Sequence, residues 1–201
     1  MKQYFDENKT VLTNERLLPL SLFGKEFKFW ANNGLFSCDK IDTASIILLE
    51  NIPPLTGHLL DLGCGYGTIG VVLATINNIK LTMSDINNIA LSYAAKNAAL
   101  NNVTATCIHS NGFENLSGIY DNIVLNPPIH AGKEVMYRLY NGAANHLAPD
   151  GALYIVIHKK HGAESTIKAL GEIFDECHVI YKRKGIYVLS STKGEQKCYQ
   201  A

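Results

Sequence analysis

The sequence predicts a single α/β domain with a mostly parallel seven-stranded sheet, helices on both faces and a C-terminal antiparallel hairpin. From residue 58 onward, short apolar runs alternate with longer segments of 3.6-residue periodicity, an order typical of a parallel sheet covered by helices. The last two apolar runs are separated only by Lys184 and Gly185, which predicts the hairpin. Hydrophobic residues make up 47% and charged residues 18% of the 201 residues, a composition typical of a globular domain.

The apolar runs define the predicted strands, which cover residues 58–62, 79–83, 103–109, 120–125, 152–158, 177–182 and 186–191. Helical periodicity follows residue 67 and the proposed N-cap Asn88, and it recurs at residues 133–147 and 164–174. A Pro-Asp-Gly turn at 149–151 is expected to precede the fifth strand.

The first 57 residues have a different pattern from the rest of the chain. They predict a strand at 27–31, a turn at 34–37 and a helix at 42–51 that is ended by two prolines. We expect residues 1–57 to be an N-terminal extension packed on a core formed by residues 58–201, within one domain.

Charge and cysteine content exclude several classes of protein. The 18 basic residues equal the 18 acidic ones, so net charge gives no evidence for a nucleic-acid partner. The C-terminal quarter is more basic, and its runs at 159–160 and 182–184 are either a solvated face or a rim that contacts phosphates. Five cysteines without a C-x-x-C pair predict neither disulfides nor a metal site. The polar N-terminus and the lack of a long apolar run predict a cytoplasmic protein without membrane association.

A glycine-rich turn links the first core strand to the next helix, where open α/β sheets bind nucleotide-like ligands. It contains Asp61, Gly63, Cys64, Gly65 and Gly67. A dinucleotide motif, the competing interpretation, would need glycine at position 68, which is threonine. A carboxylate at the strand end suits the cationic amino group of S-adenosylmethionine better than a pyrophosphate, so this cofactor is predicted.

The next two strand ends carry further candidate cofactor contacts. Asp85, 22 residues after Gly63, is predicted to accept both ribose hydroxyls, with Ile86 beside it. After the third strand, Asn111 and Gly112 are placed near the adenine, where the amide oxygen of Asn111 can accept a hydrogen bond. Phe113 is a candidate to cover the adenine face, although a turn favours the same residue types at these positions.

Asn126, Pro127, Pro128 and Ile129 follow the fourth core strand and are the predicted catalytic residues. Consecutive prolines cannot continue a central strand, so they fix the backbone as it leaves the sheet. An asparagine oxygen and a rigid main-chain carbonyl can accept the two N–H bonds of an exocyclic amine and aim its nitrogen at a methyl donor. Asn126 is therefore expected near both cofactor and substrate.

Three segments of the sequence resemble the RsmC-like group of small-domain, class I methyltransferases, which methylate guanine N2 in ribosomal RNA. They are Gly-Leu-Phe-Ser at 34–37 followed by Asp-Thr at 42–43, the glycine turn at 61–67, and Asn-Pro-Pro-Ile-His-Ala-Gly-Lys at 126–133. The resemblance implies a Rossmann-like fold, places Phe36 and Ser37 over the cofactor pocket, and assigns residues 126–129 to holding the guanine. Better-studied members contain two tandem copies of the fold, whereas this sequence has one and resembles the single-domain branch.

The predicted activity is transfer of a methyl group from S-adenosylmethionine to an exocyclic amine, guanine N2 of 16S ribosomal RNA being the leading candidate. One alternative is methylation of a protein amide or a small molecule, and a second is a catalytically inactive RNA-binding assembly factor. The expected partner is ribosomal RNA or the small ribosomal subunit, and a single copy is expected to need a homodimer or a ribosomal protein to hold RNA. His130 and Lys133 are candidate substrate contacts, with an exposed turn and a helix start as the alternatives.

Overall fold

The computed structural model describes residues 14–128 and 132–194. Its strands are β1 (Arg16–Leu22), β2 (Lys25–Ala31), β3 (His58–Leu62), β4 (Lys80–Asp85), β5 (Ala105–His109), β6 (Tyr120–Leu125), β7 (Leu147–His158), β8 (Glu176–Arg183) and β9 (Ile186–Thr192). Its α-helices are α1 (Thr43–Asn51), α2 (Thr68–Asn77), α3 (Asn88–Leu100), α4 (Gly132–His146) and α5 (Ala163–Ile173). None of these helices is long and apolar enough to cross a membrane.

Seven strands form the central sheet in the order β5-β4-β3-β6-β7-β9-β8. The first five in this order are parallel, and β9 runs antiparallel to both β7 and β8. The chain moves outward from β3 through β4 to β5 and then returns to place β6 on the other side of β3. The predicted sheet and its C-terminal hairpin are confirmed. Helices α2, α3 and α4 join β3 to β4, β4 to β5 and β6 to β7, since parallel strands need long crossover connections.

The helices cover the sheet on both faces and form two hydrophobic cores, as the sequence predicted. On one face α1, α2 and α3 bury apolar side chains such as Leu48, Val72 and Ala94. On the other face α4 and α5 bury residues such as Tyr140 and Leu170. Burial on both faces explains why the central strands are continuous apolar runs without alternation.

The N-terminal strands β1 and β2 form a separate antiparallel hairpin. Its alternate residues Leu18, Leu20, Phe27 and Phe29 are buried in the core that contains α2 and α3. The sequence analysis predicted no strand at β1. Pro19 is tolerated within it because β1 pairs on one side only. The division of the chain at residue 57 stays a prediction.

Two asparagines, Asn97 in α3 and Asn101 directly after it, make the hydrogen bonds of a neighbouring strand along the free edge of β2. Asn97 accepts a hydrogen bond from the Trp30 N–H (2.7 Å) and donates to the carbonyls of Trp30 and Tyr66. One turn later, Asn101 makes the same pair of bonds with the Lys28 N–H and carbonyl. These bonds pair backbone N–H and carbonyl groups along the free edge of β2, and they attach the hairpin to the helix that follows β4.

Two local predictions were wrong. The N-cap of α3 is Asn87, whose Oδ1 accepts from the N–H groups of Ile89 and Ala90, and Asn88 is the first helical residue. The predicted turn at 149–151 lies inside β7, which begins at Leu147. Pairing shifts there from Tyr120–Leu147 to Asn122–Ala152, so these residues form a bulge within the strand.

Candidate active site

The carboxyl ends of β3 and β6 lie side by side at the point where the sheet changes direction. Open α/β sheets bind ligands in the crevice above such a point, because the two following connections leave towards opposite faces. The glycine turn follows β3 and Asn126 follows β6, so the fold brings together two motifs that are 63 residues apart, from Gly63 to Asn126.

Above this point lies a cavity of about 730 Å³, a size typical of small-ligand sites. Gly63 (φ +68°) and Gly65 (φ +55°) line it in the left-handed region, and a Cβ built on either would meet no atom within 4 Å. Their backbone therefore presents an open surface to a ligand. Gly67 does not line this cavity; its missing side chain lets α3 approach, since a Cβ would lie 3.2 Å from Ala94 Cα.

Most of the residues that the sequence analysis assigned to the cofactor line this larger cavity. They are Phe36, Ser37, Gly63, Cys64, Gly65, Asp85, Ile86, Asn111, Gly112 and Asn126, together with Pro127 and Pro128. Among the described candidates for cofactor contacts, Asp61, Gly67 and Phe113 are not part of its lining. Ile129 and His130 lie outside the described residues.

The Asp85 carboxylate is held at the end of β4 by two main-chain donors. Its Oδ2 accepts from the Gly65 N–H and its Oδ1 from the Asn87 N–H, both at 2.9 Å. A carboxylate oxygen can accept more than one hydrogen bond, and Asp85 lines the cavity. The contact of Asp85 with the two hydroxyls of a ribose stays a prediction.

Asp61 lies behind the glycine turn, directed towards α2 instead of the cavity. Its Oδ2 accepts from the Gly70 N–H at 2.7 Å, and the residue is 1% exposed. Burial, with a smaller contribution from the nearby Asp85, raises the pKa of the Asp61 carboxyl to about 7. Burial also raises the pKa of the Cys64 thiol well above its ordinary value, which keeps it protonated and a poor nucleophile.

The turn after β5 differs in detail from its predicted role. The Oδ1 of Asn111, the proposed acceptor for adenine, accepts from Arg138 Nη2 at 3.0 Å, and its Nδ2 donates to Glu114. The Phe113 ring stacks on His146 with centroids 4.6 Å apart, and it is not part of the cavity lining. Arg138 lines the cavity but was not a predicted site residue, because the helix pattern alone gives no reason to single it out.

A second, smaller cavity of about 500 Å³ adjoins the first. The two cavities share Phe36, Asp42, Asn126, Pro127 and Pro128. The rest of the smaller cavity includes basic and aromatic side chains: Lys133, Tyr137, His158, Lys160 and His161. Lys133, a candidate substrate contact, lies on the wall of the smaller cavity, and Lys160 belongs to one of the two basic runs identified in the sequence.

Asn126 lies where the two cavities meet, held from the side of α1. Its Nδ2 donates to Asp42 Oδ2 and to Ser45 Oγ, both at 3.0 Å. Asp42 also caps α1 by accepting from the Ser45 N–H at 2.9 Å. Sequence reasoning placed Asp42 at a helix start and in the family resemblance, but it gave no sign that Asp42 and Ser45 contact Asn126.

The parallel sheet, the glycine turn after β3 and the carboxylate of Asp85 at the end of β4 define a class I methyltransferase. A sequence model described as the methyltransferase small domain matches residues 26–190. The chain belongs to this family, and its RsmC-like members are among its relatives. Its cofactor is S-adenosylmethionine, and the cavity beside Gly63, Gly65 and Asp85 fits that molecule.

Two relatives illustrate the range of similarity. YbxB of Bacillus subtilis, an uncharacterised protein, is 37% identical over 198 residues, which cover 96% of this chain and 98% of that protein. Ribosomal RNA small subunit methyltransferase C of Aeromonas hydrophila is 39% identical over 128 residues, covering 61% of this chain and 37% of that enzyme. The chain spans about half or less of the length of such curated ribosomal RNA methyltransferases.

Solved structures of methyltransferases are also similar to this chain. The T. thermophilus 16S rRNA N2 methyltransferase RsmC, in complex with AdoMet and guanosine, superposes with a TM-score of 0.81 at 28% identity, covering 90% of this chain and 51% of that one. A methyltransferase from Pyrococcus furiosus has a TM-score of 0.65 at 24% identity, covering 74% of this chain and 81% of that one, and it supports the fold alone.

Proposed function

We propose that this protein transfers a methyl group from S-adenosylmethionine to N2 of a guanine in small-subunit ribosomal RNA. The observation that carries the proposal is the meeting of two cavities at Asn126, Pro127 and Pro128. The larger cavity has a size and a lining that suit the cofactor. The smaller cavity lies beside it and is lined by basic and aromatic side chains. Such an arrangement suits transfer between two ligands bound side by side.

The larger cavity is proposed to hold the cofactor. Its nucleoside would lie on the Gly63–Gly65 backbone, its ribose hydroxyls would donate to Asp85, and its adenine would pack against Ile86 near Asn111 and Gly112. Phe36 and Ser37 would cover it from the turn before α1. When bound, S-adenosylmethionine supplies an electrophilic methyl group on its sulfonium.

The Asn-Pro-Pro turn is proposed to hold the target amine. The lone pair of an exocyclic amine is delocalised into the base and is a poor nucleophile, so positioning matters more than general-base strength. The amide oxygen of Asn126 and a main-chain carbonyl fixed by the prolines accept hydrogen bonds from the two N–H groups of the target amine. They thereby stabilise the positive charge that develops on its nitrogen. The alkylated nitrogen is acidic and loses its proton to water.

The smaller cavity favours a nucleic acid over an uncharged substrate. Lys133 and Lys160 lie on its walls together with His158 and His161, and Tyr137 offers a ring for stacking. Cationic side chains neutralise phosphates, and aromatic rings stack on unpaired bases in RNA-binding proteins. The RsmC relatives, whose names state action on small-subunit ribosomal RNA, support the choice of this RNA.

The proposal is tested by incubating purified protein with methyl-labelled S-adenosylmethionine and three substrates: naked small-subunit RNA, assembled small subunits lacking the modification, and total cell protein. The RNA is then digested to nucleosides and analysed by mass spectrometry. We expect the label in N2-methylguanosine, and the preferred RNA substrate would show when during assembly the enzyme acts.

Other outcomes of this experiment distinguish the alternatives. Label in protein would replace the RNA substrate by a protein amide. Tight cofactor binding, measured by calorimetry, without label in any substrate would favour an inactive assembly factor. Label in a different nucleoside would retain the RNA substrate and overturn the assignment to guanine N2.

A further inference from the structure

The orientation of the Asn126 amide is determined by two neighbours, the N-cap of α1 and a residue in its first turn. Asp42 Oδ2 is an acceptor, so it must face the amide nitrogen and not the amide oxygen. The hydroxyl of Ser45 accepts the second Nδ2 proton and donates its own proton to Asp42 Oδ2 at 3.1 Å. Both protons of the amide nitrogen are thereby used, and within residues 14–128 and 132–194 no group donates to Asn126 Oδ1.

This contact is more than the helix cap of α1. A cap requires only the bond from the Ser45 N–H to Asp42 Oδ2, which α1 would make without Asn126. The contact with Asn126 joins residues separated by 84 positions, and Asp42 lines both cavities at their junction. A carboxylate behind the amide also strengthens its oxygen as an acceptor, because hydrogen bonds in a chain polarise one another.

We propose that Asp42, acting with Ser45, is the positioning residue that holds Asn126 with its amide oxygen towards the target amine. This inference rests on the function proposed above and adds that the segment before the core supplies part of the active site. Without Asp42, the Asn126 amide is free to rotate. Its NH₂ group could then face the target amine, and a hydrogen-bond donor of the protein would point at a donor of the substrate.

Two substitutions separate positioning from capping. Asp42→Ser retains a good N-cap, but its side chain is too short to reach Asn126. Asp42→Asn retains an oxygen that accepts from both Ser45 and Asn126. We expect kcat on unmodified small-subunit RNA to fall at least about tenfold in Asp42→Ser, the change produced by losing one hydrogen bond to a charged group. Asp42→Asn should recover most of that loss.

Three further readouts would not follow from a purely structural role. The KM for S-adenosylmethionine and the urea midpoint of Asp42→Ser should stay close to those of the wild type. Added to Asn126→Ala, Asp42→Ser should cause no further loss of kcat, because the group that it positions is already absent. Full activity of Asp42→Ser, or additive losses in the double variant, would overturn the inference.

The free protein provides a test that does not depend on the substrate. The side-chain NH₂ signals of Asn126, assigned by their disappearance in Asn126→Ala, should exchange slowly with solvent in the wild type and in Asp42→Asn. They should exchange faster in Asp42→Ser. Unchanged exchange in Asp42→Ser would refute positioning by Asp42. An inactive wild type with the expected exchange pattern would refute the proposed substrate and leave the Asp42–Asn126 contact established.

Discussion

The two cavities are built from the chain in different ways. The larger one is lined by the turns that follow β3, β4 and β5, by the segment around the start of α1, by the Asn-Pro-Pro turn and by α4. Its proposed contacts with the nucleoside lie mostly in the three turns, each of which is a short local motif. The smaller one combines the start of α1, the first turns of α4, the end of β7 and the residues before α5. The proposed nucleoside contacts therefore depend on local backbone geometry, whereas the shape of the smaller cavity depends on how distant elements pack.

Asn126 belongs to both cavities, so its substitution should have the largest effect. We expect Asn126→Ala to reduce kcat by about 100-fold or more, on the scale of losing one group that stabilises charge in the transition state. Its affinity for S-adenosylmethionine should change by no more than a few-fold. Steady-state kinetics and calorimetry measure the two quantities, and equal losses in both would place Asn126 in the donor site alone.

Asp85 tests the larger cavity separately. We expect Asp85→Ala to weaken S-adenosylmethionine binding by about 1.5–3 kcal/mol, the usual cost of losing hydrogen bonds to a charged group. Isothermal titration calorimetry gives this value, with the exposed Glu172→Ala on α5 as a control that should bind normally. An unchanged dissociation constant in Asp85→Ala would show that the ribose is held elsewhere.

Asp61 lies behind the larger cavity and should affect stability in a pH-dependent way. Its pKa is about 7 in the folded protein and about 4 in an unfolded chain, so the folded state binds this proton more tightly between those values. The free energy of unfolding should therefore fall as the pH rises from about 4 to about 7, by at most about 1.4 kcal/mol per pH unit, and then level off.

Asp61→Asn removes this titration while keeping an acceptor for the Gly70 N–H. Urea denaturation at pH 5, 6, 7 and 8 should show the variant gaining stability relative to the wild type as the pH rises. If the two proteins instead had parallel pH profiles, Asp61 would not be the buried acid that the structure indicates.

Lys160 tests the smaller cavity and should have the smallest effect. We expect Lys160→Gln to weaken binding of small-subunit RNA a few-fold and to reduce the slope of log affinity against log salt by about one, the signature of a lost phosphate contact. The neighbouring Lys159→Gln is a matched control, since Lys159 is not in the cavity lining and lies 4.0 Å from Glu164. Equal effects of the two variants would assign RNA binding to a diffuse basic surface.

The same contrast explains what could be predicted from the sequence. Hydrophobic runs and turn residues are local signals, so the sheet, the glycine turn and the positions of Asp85 and Asn126 were predictable. The direction of the Asp61 side chain was not, because it depends on the close approach of α2 to the end of β3. The contact of Asp42 with Asn126 could not be predicted from the sequence either, since it depends on where α1 packs against the sheet.

The most direct test of the two-cavity account is a crystal structure of the protein with S-adenosylhomocysteine and guanosine. The account predicts the cofactor product in the larger cavity and the guanine in the smaller one, with its exocyclic nitrogen about 3 Å from Asn126 Oδ1. Guanosine bound outside the smaller cavity, or with its exocyclic amine turned away from Asn126, would contradict it.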